Sequence, residues 1–210
     1  MIYAVKELYL TLQGEGAQTG QRAVFLRFTG CNLWSGREAD RATAQCQFCD
    51  TDFVGTDGPG GGRFATAAAL AQAIAHNWGP SPDHRLVVIT GGEPTLQLDT
   101  ALIEALHAQA FRIAVESNGT IPAPPGIDWL TISPKAGTAV VQRAGHELKL
   151  VFPQPSLPPH TVADWDFTHF YLQPMDGPDR ARNTALATDY CLANPRWRLG
   201  LQTHKLIGLP

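Results

Sequence analysis

The chain has 210 residues, 44% of them hydrophobic and 17% charged, the proportions of a compact globular protein and not of a disordered or coiled-coil one. No polar or low-complexity linker divides it, so a single domain spanning 1–210 is expected. A formal net charge of -3 argues against a nucleic-acid partner, and no apolar run approaches the length of a membrane span. The start, Met1 to Glu7, lacks a basic region followed by an apolar core, so a cytoplasmic protein with no membrane partner is expected. In that reducing compartment cysteines point to metal binding or catalysis more than to disulfides. Cys191 stands apart from the other three and reads as a core residue.

In chain order, Tyr3 to Leu12 mixes aromatic and β-branched residues and meets Gln13-Gly14-Glu15-Gly16, a strand running into a tight turn. A second strand is predicted at Ala23 to Thr29. Its alternation puts Val24, Leu26 and Phe28 on one face and Phe25, Arg27 and Thr29 on the other, where Arg27 is either an anion ligand or a solvated edge-strand arginine. The cysteine loop follows. The glycine-rich segment Gly55 to Gly62 lacks the Lys-Ser/Thr ending of a phosphate-binding loop and reads as a flexible connection.

A helix is expected from Thr66 to Trp78, with Thr66 as N-cap and Gly79-Pro80 as its stop. Leu86 to Thr90 is a continuous apolar run, as in a strand covered on both faces, and it ends in Gly91-Gly92-Glu93-Pro94. A helix from about Leu98 to Gln109 and a strand from Arg112 to Glu116 complete a strand-helix-strand unit. Leu130 to Ile132, Glu147 to Val151 and Thr168 to Leu172 read as strands with connections too proline-rich for good helices. A helix at Asn183 to Ala193 and a strand at Arg198 to Gln202 come last. About three helices for about six core parallel strands suggest a partial, open α/β barrel of (β6/α3) type, derived from the TIM-barrel architecture with fewer crossover helices.

Cys31, Cys46 and Cys49 are separated by fourteen and then two residues. Thiolates suit zinc or an iron-sulfur cluster, and a closed site of either kind takes four ligands, so three thiols with no adjacent histidine suggest an open position. Spacing alone leaves zinc and the cluster level, with three packed thiols as a further alternative. Polar signatures stand at the ends of the predicted strands: Thr90-Gly91-Gly92-Glu93, Glu116-Ser117-Asn118-Gly119, Ser133-Pro134-Lys135, Gln173-Pro174-Met175-Asp176 and Thr203-His204. Each alone reads as a turn or a surface charge. Parallel α/β topology brings the carboxyl ends of strands to one face, and five such signatures beside a three-thiol loop favour a shared active site.

These residues carry a resemblance. Cysteines ending in Cys-X-X-Cys with an aromatic before the last, then a strand ending Gly-Gly-Glu-Pro, resemble the radical S-adenosylmethionine superfamily. With Leu12-Gln13-Gly14-Glu15-Gly16, Cys49-Asp50-Thr51 and the strand-end motifs, nearly the whole chain is similar to the 7-carboxy-7-deazaguanine synthase family. Most of the superfamily spaces its first two cysteines by three residues; the fourteen here match a variant found within this synthase family.

The resemblance implies a lyase that converts 6-carboxy-5,6,7,8-tetrahydropterin to 7-carboxy-7-deazaguanine with loss of ammonia, on the route to queuosine and related deazapurines. It implies a [4Fe-4S] cluster on Cys31, Cys46 and Cys49, whose free iron chelates S-adenosyl-L-methionine. The cofactor carries the radical chemistry, and S-adenosylmethionine is regenerated. It implies Mg2+ on Thr51, and S-adenosylmethionine contacts from Phe48, Cys49, Asp50, Gly92, Glu93, Ser133, Pro134, Lys135, Gln173, Pro174, Met175 and Asp176. Glu93 corresponds to the partner of the methionine amino group. For the pterin it implies Leu12, Gln13, Gly14, Arg27, Thr90, Glu116 and His204, with Glu15 as a further candidate and Pro210 offering a terminal carboxylate. No protein acid or base is assigned. An electron donor such as flavodoxin or ferredoxin is implied, and uncovered strand edges favour a homodimer. Competing readings are a glycyl-radical-enzyme activase and a non-enzymatic zinc module completed by His204 or His146.

Overall fold

The computed structural model describes residues 2–210. Nine strands form one open sheet in the order β3-β1-β2-β4-β5-β6-β7-β8-β9. β1 (Tyr3–Leu12) runs antiparallel to both β2 (Arg22–Phe28) and the short edge strand β3 (Gly62–Phe64). From β2 onward the pairing is parallel throughout: β4 (Leu86–Gly91), β5 (Arg112–Ser117), β6 (Trp129–Ile132), β7 (Ala144–Phe152), β8 (Asp166–Pro174) and β9 (Trp197–Leu199).

Alternation along the strands divides the sheet into two faces. Val24, Leu26 and Phe28 of β2, Val87 and Ile89 of β4, Ile113 and Val115 of β5 and Leu148 and Leu150 of β7 share one buried cluster. That cluster includes Leu70, Ile74 and Trp78 of α1 (Ala67–Trp78) and Leu102 and Leu106 of α2 (Thr100–His107). Each fully buried aliphatic side chain contributes about 1.5–3 kcal/mol relative to exposure, so the helix-covered face holds the fold together. Arg27, Thr90, Glu116 and Lys149 occupy the alternate positions and face a cavity on the other side.

Both helices start where the sequence supplies a cap. Thr66 accepts from the Ala69 N–H and Asp99 from the Leu102 N–H. The Asp99 cap starts α2 at Thr100, and the helix is shorter at both ends than the predicted Leu98 to Gln109. The links 118–128, 133–143 and 153–165 carry no α-helix among the described residues, as their prolines forecast.

Three expectations change. The glycine-rich segment packs tightly: a Cβ on Gly58 or Gly60 would meet the carbonyls of Lys6 and Leu8 at 2.7 and 2.5 Å, and Leu8 donates to Pro59. Glycine serves close approach to β1 there, not looseness. β2 lies inside the sheet, which removes the reading of Arg27 as an edge-strand residue. The last strand is brief, and Thr203–Ile207 form a helix, α4, after α3 (Arg180–Ala193) and β9. No helix among the described residues is long and apolar enough to cross a membrane.

Candidate active site

Cys31 follows β2, and Cys46 and Cys49 close the loop after it; all three thiols are free and line one cavity of about 270 Å³. Burial pushes the Cys31 and Cys46 thiols up. The β4 turn presses against this loop. A Cβ on Gly92 would lie 2.1 Å from the Gly30 carbonyl oxygen, and the Glu93 N–H donates to that oxygen at 2.9 Å. No group of three or more His, Cys, Asp or Glu among the described residues converges tightly enough for a single metal ion. The thiolates of an iron-sulfur cluster bind different irons and need not converge on one point, so this donor set fits a cluster.

Lys149, at mid-β7, is the electrostatic centre of the cavity. Its ammonium lies 2.5 Å from Glu15 and 2.8 Å from Glu116, and Glu116 also accepts from Gln13 at 3.0 Å. Burial works to lower the lysine pKa, but the two carboxylates outweigh it and hold Lys149 charged. Burial likewise opposes ionisation of Glu15, yet Lys149 keeps its carboxyl below the usual range. Glu147, two residues back on β7, has no such partner. Burial raises it to about 7, although the Ala17 N–H donates to it.

Arg27 donates to Glu7 at 2.6 Å and to the Tyr9 hydroxyl at 3.1 Å, which fixes its guanidinium in the cavity wall. α4 closes the opposite side. Thr203 donates to the Gly14 carbonyl at 2.9 Å, and a Cβ on Gly14 would collide with the His204 ring. Burial lowers the pKa of His204, which favours the neutral ring. Lys205 bridges Asp50 and Asp176 at 2.7 and 2.6 Å, tying α4 to the cysteine loop and the β8 exit. Lys135 donates to Ser133 at 2.7 Å and stands 5.8 Å from the centre of the Phe48 ring; burial lowers its pKa.

The sequence-predicted residues thus meet. Leu12, Gln13, Gly14, Glu15, Arg27, Thr90, Glu116, His204 and Pro210 line the same cavity as Phe48, Asp50, Thr51, Gly92, Ser133, Lys135 and Gln173 through Asp176. Glu93 and Pro134 stand behind its wall. The Glu93 carboxylate is wholly buried and accepts from the Asn118 N–H at 2.7 Å, the Ser117 hydroxyl at 2.9 Å and the Thr95 hydroxyl at 2.6 Å. The Pro134 carbonyl accepts from Gln154. Lys149, Gln202 and Tyr9 also line the cavity and were not among the predicted residues. Lys149 had a signal: Glu147, Lys149 and Val151 alternate with the core residues Leu148 and Leu150. Gln202, which bonds both Glu15 and Asp50, had none.

An open, mostly parallel α/β sheet that brings three free thiols, a Gly-Gly-Glu-Pro turn and a polar cavity together has the organisation of a radical S-adenosylmethionine enzyme. No family model matches the chain. It is 65% identical over 210 residues to 7-carboxy-7-deazaguanine synthase of Bordetella pertussis and 66% identical over 210 residues to that of Caulobacter vibrioides, covering 100% of each chain in both cases. The crystal structure of QueE from Escherichia coli superposes with a TM-score of 0.69 at 26% identity, covering 96% of this chain and 94% of that one. The chain belongs to the 7-carboxy-7-deazaguanine synthase family.

Proposed function

We propose that the chain converts 6-carboxy-5,6,7,8-tetrahydropterin to 7-carboxy-7-deazaguanine with loss of ammonia, as a step of queuosine and 7-deazapurine biosynthesis. The observation that carries this reading is that the three thiols and the Gln13–Glu116–Lys149–Glu15 network open onto one cavity. The name of the full-length relatives supports the product.

Cys31, Cys46 and Cys49 would hold a [4Fe-4S] cluster, which with S-adenosyl-L-methionine supplies the one-electron cleavage that begins radical chemistry. Phe48 offers a ring face to the adenine, and Ser133 and Lys135 offer donors to the ribose and carboxylate. Gly92, by lacking a side chain, lets the turn pack against the cysteine loop beside the cofactor. Because both Glu93 oxygens are engaged by the protein, we assign Glu93 to shaping the turn that meets the methionine amino group. Pro134 has the matching part at the β6 exit. Cys49, Asp50, Gln173, Pro174, Met175 and Asp176 complete that pocket.

Arg27 presents a forked cation to the pterin carboxylate, already oriented by Glu7 and Tyr9. Glu116 and Glu15, both paired with Lys149, accept from the aminopyrimidinone edge, while Gln13, Thr90 and neutral His204 supply matched polar groups. Leu12, Gly14 and Pro210 shape the floor. Thr51 contributes a hard oxygen for Mg2+, with the substrate carboxylate and water as further ligands. The reading includes one domain over 1–210, partial-barrel curvature of the parallel strands, a cytoplasmic setting, a flavodoxin- or ferredoxin-type electron donor and a homodimer.

The test is turnover. Protein reconstituted anaerobically with iron and sulfide is incubated with reductant, S-adenosylmethionine, Mg2+ and the carboxytetrahydropterin. Chromatography is expected to show the deazaguanine product; a fully loaded protein that leaves the pterin unchanged would overturn the proposal.

A further inference from the structure

One side chain ties the long insert between the first two cysteines to the loop that carries the last two. Arg41 Nη1 donates to the backbone carbonyls of Gln47 at 3.0 Å and Cys49 at 3.1 Å. Its Nε meets both carboxylate oxygens of Glu38 at 2.8 and 2.9 Å. The guanidinium lies 4.1 Å from the centre of the Trp34 ring. Trp34 is itself fixed: it is buried, packs edge-on to Phe53 at 5.6 Å and donates to the Arg37 carbonyl. Arg41 therefore joins a 3-10 turn (Glu38–Thr43), an anchored indole and the backbone of two residues in the thiol loop.

A fourteen-residue insert has conformational freedom that would have to be lost each time the thiols assemble around a ligand. Charge-assisted bonds from a planar fork that also stacks on an aromatic ring lower that loss in advance, and a lysine cannot reproduce the geometry. We propose that Arg41 is a positioning residue for the three-thiol site, holding the Gln47–Cys49 backbone so that Cys46 and Cys49 face the cavity with Cys31. It also fixes a positive charge behind the ligand loop. This inference rests on the reading that the thiols hold an iron-sulfur cluster.

Residues that support metal ligands from behind typically change metal affinity about 10- to 100-fold when removed. The test compares reconstituted full-length wild type, Arg41→Met and Arg41→Lys by iron and sulfide content, by the rate of iron release to a chelator and by the reduction midpoint followed by electron paramagnetic resonance. Arg41→Met is expected to release iron about 10-fold faster or more. Its midpoint is expected to move to lower potential, since a cation near the cluster is lost. Arg41→Lys should fall between the two in release rate, with a midpoint nearer wild type, and all three apo proteins should share one far-UV circular dichroism spectrum. Equal release rates and midpoints for all three would overturn the inference. If Arg41→Met does not fold, Arg41→Lys decides, and a release rate equal to wild type overturns it. A wild type that takes up no cluster overturns the underlying reading and this inference with it.

Discussion

The Lys149 ammonium lies 2.8 Å from the Glu116 carboxylate, linking β7 to β5 across the cavity, and the same ammonium holds Glu15 at 2.5 Å. Lys149 is a buried cation that both carboxylates share, so removing it leaves two partly buried carboxylates facing each other without a counter-charge. Breaking a buried ion pair from one side costs about 3–5 kcal/mol. Lys149→Met is therefore expected to lose on the order of that stability at neutral pH and to regain part of it in acid, as the carboxylates protonate. Denaturant titrations at two pH values check this; equal losses at both would contradict it.

Glu147 predicts the opposite slope. Its carboxyl is raised to about 7 in the folded protein, first by burial, against an ordinary value of 4.5. Between those values the folded state binds the proton more tightly than the unfolded state, so this group's contribution to stability falls as pH rises through that window. The shift corresponds to about 3 kcal/mol across the window. Glu147→Gln keeps an acceptor for the Ala17 N–H and should flatten stability against pH between about 4.5 and 7. An unchanged slope would show that Glu147 is ionised in the fold.

Arg27→Lys keeps a charge but loses the fork. Hydrogen bonds to charged groups contribute about 1.5–3 kcal/mol each, so the KM for the carboxytetrahydropterin should rise at least about 10-fold with iron content unaltered. A wild-type KM would remove Arg27 from the substrate site.

Gly92→Ala tests the contact between the β4 turn and the cysteine loop. Its Cβ would fall 2.1 Å from a backbone oxygen and 2.7 Å from the Cβ of Cys31, so the backbone must move. A strain of about 1–3 kcal/mol should lower the iron bound after reconstitution while the far-UV spectrum stays native. Full iron content would show that the turn can retreat without disturbing the thiols.

Much of this was legible in the sequence because local signals agreed. Thr66 and Gly79 bounded α1, the apolar run at 86–90 announced a strand buried on both faces, and the prolines of 118–165 announced crossovers without helices. Much of the cavity's lining was legible through motifs at strand ends. What pattern could not supply was which groups satisfy one another. Glu93 stands in a motif that suggests an open carboxylate, yet Ser117 and Asn118, brought by the neighbouring β5, close on it. Lys149 sits in an ordinary alternating strand and gains its importance only when Glu15, more than a hundred residues away, folds over it. The glycines at 58–61 looked loose because the partner they pack against, β1, lies far back in the chain.

The central claim is that one cavity carries out a complete pterin-to-deazaguanine conversion with the radical source recycled. The most direct measurement follows deazaguanine, ammonia and S-adenosylmethionine together over many turnovers of the reconstituted protein. Equal amounts of deazaguanine and ammonia, with S-adenosylmethionine undiminished, are predicted. Cleavage of S-adenosylmethionine without either product would contradict the account.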